Sequence, residues 1–161
     1  MSVNRGKQFE SVVRSAFEKV PNVSIDRLHD QTTGFRGSQN ICDFIVYREP
    51  YEYYFECKSV HGASLPFSNI TETQWNGLLE KSKIEGVFAG VICWWVDKDV
   101  TKYIPIGVLQ RMKDLKDKSI RYDFYHRFND IDKIVEVKGK KKRVFFEYNM
   151  EEFLNEIQPN R

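Results

Sequence analysis

The run VFAGVICWWV, residues 87–96, constrains this chain more than any other stretch. It is almost wholly apolar and rich in β-branched and aromatic residues, which is the composition of a strand buried on both faces. Such a strand belongs in the middle of a sheet, and a sheet of that kind needs helices over it. The helices are legible. Residues 4–20 carry Phe9, Val12, Val13, Ala16, Phe17 and Val20 at helical spacing, with Asn4 placed to cap the start and Pro21 to end it. Thr71 opens a second helix across 72–85, with Trp75, Leu78, Leu79 and Ile84 as its inner face and Gly86 at its exit. Residues 107–117 and MEEFLNEI, residues 150–157, read as two more. Strands are expected at 23–29, 41–47, 52–59 and Tyr103–Ile106, and a hairpin at 133–148 with its turn in KGKKK. HDQTTGFRGSQN (29–40) and SVHGASLPFSNI (59–70) read as loops. The expected fold class is α/β: a mixed central β-sheet flanked by helices, in one domain over residues 1–161.

Bulk charge does not announce a partner. With 25 basic and 23 acidic residues the net charge is +2, so a nucleic-acid surface would have to come from local clustering. Cys42, Cys57 and Cys93 all sit in apolar runs, which predicts buried free thiols in a reducing compartment rather than a disulfide framework. No apolar stretch approaches the roughly 20 residues of a membrane span, and the N-terminus lacks a signal-peptide region. A cytoplasmic protein with no membrane partner is expected. His29, His61 and His126 are far apart and share no zinc-site spacing. There is no G-x-x-x-x-G-K-[ST] loop, and no paired nucleophile and base for covalent serine or cysteine chemistry.

The charges that stand out lie in ICDFIVYREPYEYYFECKS, residues 41–59. Alternation along a strand puts Glu52, Tyr54, Glu56 and Lys58 on one face and Tyr53, Phe55, Cys57 and Ser59 on the other. Asp43 shares its face with Ile41 and Ile45, a costly place for an unpaired carboxylate. If the strands pair around Arg48, Glu49 and Pro50, Asp43 comes near Glu56. Two carboxylates held close repel unless a cation lies between them, and oxygen donors suit a hard divalent ion such as magnesium, with manganese as a substitute. Such an ion, held by Asp43 and Glu56, would activate water and stabilise charge on phosphorus, with Lys58 beside it. An E-x-K pair is equally common on a solvent-facing strand, and the spacing alone leaves both readings open.

Asp43 followed by Glu56-Cys57-Lys58 resembles the D…(D/E)xK signature of the PD-(D/E)xK nuclease superfamily. NRGKQFE (4–10), CDF (42–44), FECKS (55–59) and SLPFSNITETQ (64–74) together are similar to the RecU-type Holliday junction resolvases, phage-like members especially. The resemblance covers residues 4–95 in order. It implies a restriction-endonuclease-like core, metal-dependent cleavage of four-way DNA junctions, and a homodimer whose twofold symmetry matches the junction. It implies that Glu10 and Gln74 support the site, and that the Cys57 carbonyl is a metal ligand while its thiol faces the core. That family inserts a stalk before the aspartate strand; here the region is only the loop 29–40, where Thr33, Phe35 and Arg36 are the candidates for DNA contact. A nuclease acting on flaps, single strands or duplex, and a non-catalytic branched-DNA-binding protein, are the alternatives.

The stretch KGKKKR offers Lys138, Lys140, Lys141, Lys142 and Arg143 to phosphates, or forms an ordinary soluble loop tip. In CWW, residues 93–95, core packing is expected over base stacking.

Overall fold

The computed structural model describes residues 4–29, 40–125 and 132–158. Helix α1 (Arg5–Glu18) begins as expected, with the Asn4 side chain accepting the Lys7 N–H at 3.2 Å. Strands β1 (Ser24–Arg27), β2 (Phe44–Arg48) and β3 (Tyr51–Val60) form an antiparallel meander. A short strand β4 (Ser64–Pro66) and a 3-10 turn (Phe67–Asn69) lead into α2 (Glu72–Ser82). This helix is the crossover to β5 (Val87–Trp95), which runs parallel to β3, because parallel neighbours need a long connection. Then follow β6 (Val100–Pro105), α3 (Ile106–Asp114), β7 (Ser119–Arg121), β8 (Val135–Glu136), the hairpin β9 (Gly139–Lys141) and β10 (Phe146–Tyr148), and α4 (Met150–Ile157). The main sheet has six strands in the order β1-β2-β3-β5-β6-β8.

The run that opens the sequence reading takes its expected interior place, with Phe88 through Trp95 all buried. Its even-numbered residues, with Phe55 and Tyr53 of β3, pack against Phe9, Phe17 and Phe153 from α1 and α4. Its odd-numbered residues, with Tyr54, pack against Trp75 and Leu78 of α2 and Leu109 of α3. The sheet is thus covered on both faces, and the alternation deduced for β3 holds residue by residue. Trp94 and Trp95 are 1% and 0% exposed, so CWW is core. All three cysteines are free and buried.

Gly90 is where the central strand tolerates nothing larger. A Cβ there would meet the Ile104 carbonyl oxygen at 2.3 Å and the Pro105 Cα at 2.9 Å, both backbone. Gly90→Ala is expected to cost about 3 kcal/mol of stability, read as a shift in the urea midpoint with an unchanged slope.

Several boundaries differ from expectation, each for a tertiary reason. Residues 64–66 are a strand rather than loop, because β4 pairs with β7, far away in sequence. Helix α2 stops at Ser82, and Ile84, expected on its inner face, is 54% exposed in the turn that Gly86 completes at a φ of 80°. The region 133–148 is not one hairpin. Its first part, β8, joins the edge of the main sheet at β6, and the hairpin proper turns after Lys141, so KGKK is largely strand rather than turn.

Candidate active site

Asp43 immediately precedes β2 and is pinned from three sides. Its N–H donates to the Phe55 carbonyl at 3.1 Å, and its carbonyl accepts the Leu28 N–H at 2.9 Å. Its Oδ2 accepts the Cys57 N–H at 2.8 Å. Past Phe44 the regular β2–β3 ladder ends, and the carboxylate takes over the hydrogen bond that a strand backbone would have supplied. Continuing the register that pairs Phe44 with Phe55 places Asp43 opposite Glu56 on one face of the sheet.

Glu56 is 3% exposed. Its Oε2 accepts hydrogen bonds from Gln74 Nε2 at 2.9 Å and pairs with Lys58 Nζ at 3.0 Å. Its Oε1 is buried and has no hydrogen-bond partner among the described residues. Burial first and the Asp43 charge second push the Glu56 carboxyl up to about 8, against the opposing pull of Lys58. A buried carboxylate beside another, with one oxygen orphaned, is a site built for a positive charge.

Gln74 is placed by the start of α2. Thr71 Oγ1 accepts the Gln74 N–H at 3.2 Å, and Gln74 Oε1 accepts the Thr71 N–H at 3.1 Å, closing a capping box. With its oxygen committed to the cap, the amide can present only its NH2 to Glu56. Lys58, one-fifth exposed, lies on the same face as Glu56. Cys57 points the other way, its side chain packed in the α1-side core, where burial drives the thiol well above its ordinary range. Its N–H faces the β2 edge, and in a strand the carbonyl of the same residue leaves by that edge too.

Glu10 projects from α1, on the other side of the sheet from Gln74. Its Oε2 pairs with Arg27 Nη2 at 3.2 Å, and its charge reaches Cys57. Arg27, the last residue of β1, carries no signal in the sequence beyond its place at a strand end; only the pairing of β1 with β2 brings it to Glu10. Thr33, Phe35 and Arg36 lie outside the described residues. The basic stretch lies in the hairpin against α1, and much of its charge is already matched. Lys138 Nζ is 3.9 Å from both Glu152 and Glu156, Lys141 is 2.6 Å from Asp99, and Lys142 is 3.2 Å from Glu147. Lys140 and Arg143 remain exposed.

Among the described residues, no three His, Cys, Asp or Glu side chains gather as a metal site. A cation here would rest on Asp43, Glu56 and the carbonyl edge at Cys57. That all-oxygen set, with the orphaned Oε1 of Glu56, fits magnesium, which takes one or two carboxylates and keeps several waters.

A six-stranded mixed sheet with helices on both faces is the restriction-endonuclease-like fold. No protein-family model and no curated protein matches the chain. Solved structures do. The 1.6 Å structure of Hjc, a Holliday junction resolvase from the archaeal hyperthermophile Archaeoglobus fulgidus, matches with a TM-score of 0.52 and 18% identity, covering 72% of this chain and 88% of that one. At that identity the likeness is one of fold.

Proposed function

We propose that this chain is a divalent-metal-dependent endonuclease that resolves four-way (Holliday) DNA junctions by phosphodiester hydrolysis. The observation that carries the reading is the buried Glu56 set opposite the half-buried Asp43, with an unpartnered Glu56 oxygen and Lys58 at 3.0 Å on the same face. The RecU-like blocks in the sequence and the fold shared with a Holliday junction resolvase support the substrate.

Asp43, Glu56 and the Cys57 carbonyl would hold magnesium, or manganese in its place, and the ion would supply activation of water and charge stabilisation at phosphorus. The protein's own part is positional and electrostatic. Gln74 and Lys58 both draw on the Glu56 oxygen Oε2, which fixes the side chain and would leave the other oxygen for a cation. The Cys57 N–H holds the Asp43 carboxylate in place opposite Glu56. Lys58, a compact cation, orients the attacking water or stabilises the charge that builds on the phosphate. Glu10, steadied by Arg27, adds negative charge on the far side of Cys57. The functional unit is a single nuclease domain acting as a homodimer, since paired nicks across a junction call for two sites. Among the described residues no helix is long and apolar enough to cross a membrane. The reading places the enzyme in a cytoplasm, that of the host if the source is a phage.

The test is a synthetic four-way junction incubated with the protein with and without magnesium, beside a linear duplex of equal length. Symmetric nicks in opposed strands, dependent on magnesium and absent from the duplex, are expected. Equal cutting of the duplex would replace the junction assignment with a broader nuclease, and binding without cutting in either metal would remove the catalytic reading.

A further inference from the structure

Lys102 lies on β6, is 4% exposed, and among the described residues its ammonium makes no hydrogen bond or ion pair. Its Nζ sits 4.0 Å from the centre of the Tyr125 ring. Burial lowers its pKa, and the charges of Glu136 and Asp123 offset that only in part. An ammonium held this way opposes folding, and breaches of that kind concentrate at functional positions.

Its place in the sheet says what it could serve. Lys58 is in register with Cys93, and Cys93 with Lys102, so the two lysines occupy one row on one face. Two strand spacings separate their backbones, about 10 Å. Between them lies a buried thiol, held neutral by its surroundings. A nucleic-acid strand carries a phosphate per about 3.4 Å of rise, so a strand with one phosphate at Lys58 brings another within reach of Lys102.

We propose that Lys102 is a second phosphate subsite, taking a backbone phosphate of the strand whose scissile bond lies at Asp43, Glu56 and Lys58. The inference rests on the nuclease reading above and extends it to how the strand is aligned. The stem of Lys102 is buried and, among the described residues, its ammonium has no carboxylate paired with it, so a compact charge is held in a fixed place for a phosphate. Tyr125, itself 66% exposed, is the cover that the phosphate displaces.

The experiment measures junction binding by fluorescence anisotropy in EDTA, across a series of sodium chloride concentrations, for the full chain and its Lys102→Met and Lys102→Arg variants. Lys102→Met is expected to bind about tenfold more weakly near 100 mM salt, with a log–log salt slope smaller by about one, the signature of one lost phosphate contact. Lys102→Arg keeps the charge and the slope. If Lys102→Met does not fold, Lys102→Gln, which keeps a polar end under Tyr125, replaces it with the same expectation. Wild-type affinity and slope in Lys102→Met, from a parent protein that cuts junctions in magnesium, would overturn the subsite and leave the nuclease reading standing. A parent protein that neither binds nor cuts DNA would overturn both.

Discussion

Asp43→Asn and Lys58→Ala proteins are expected to bind four-way junctions as the parent does and to cut them at about a thousandth of its rate or less. Asp43→Asn changes one carboxylate to an amide of equal size. The substituted side chain can still accept the Cys57 N–H through its oxygen, so the strand end keeps its anchor. What is lost is one of the two carboxylates that the proposed site would offer a cation. Lys58→Ala removes the ammonium without opening the core, because the side chain is already one-fifth exposed. Single-turnover cleavage with labelled junctions gives the rates, and gel shifts in EDTA give the binding. Parental cleavage by either variant would remove that residue from the site.

Glu56→Gln is expected to make the metal-free protein more stable while abolishing cleavage. In the parent, a buried carboxylate must either hold a proton or bear charge beside Asp43. Its folded pKa of about 8 exceeds the ordinary 4.5, so the folded state binds the proton more tightly. No penalty exists below the ordinary value; it grows as pH rises between the two and is complete above about 8. Glutamine removes the charge, keeps an oxygen for Gln74 and Lys58, and turns an N–H toward Asp43. A gain on the order of 2 kcal/mol, or about 5 °C in Tm, is expected near pH 8 in EDTA, shrinking to nothing near pH 4.5. Magnesium should raise the Tm of the parent near pH 8 and leave Glu56→Gln unmoved. Melting curves across pH, with EDTA or magnesium, check both statements. A variant less stable than the parent in EDTA at high pH would mean that Glu56 serves the fold rather than a cation.

How much of this was legible beforehand follows from the range of each interaction. Alternation along β3 separates Glu56 and Lys58 from Cys57 without reference to any other element, and the apolar run at β5 declares its own burial. Asn4 and Thr71 mark their helices because caps are local. The pairing of β4 with β7, and the split of 133–148 between sheet edge and hairpin, depend on partners remote in sequence and leave no periodic trace. Arg27 is silent for the same reason. The lysines of KGKKKR look like free charge in one dimension, while in three dimensions Asp99, Glu147, Glu152 and Glu156 reach them from other elements. Lys102 runs the opposite way: it falls just outside the strand expected at Tyr103–Ile106 and carries no signal there, yet it lies on β6 and is buried.

Asp43, Glu56, Lys58 and Gln74 all come from the contiguous segment β2–β3–α2, and their mutual distances are set by one strand pairing and one capping box. The reactive centre is therefore short-range in the chain even though the sheet around it is not. Loop insertions or rebuilt edges after residue 100 leave that geometry intact. On the proposed reading, the part of the chain that would cut is set by one short segment, and the later elements are open to change without disturbing it.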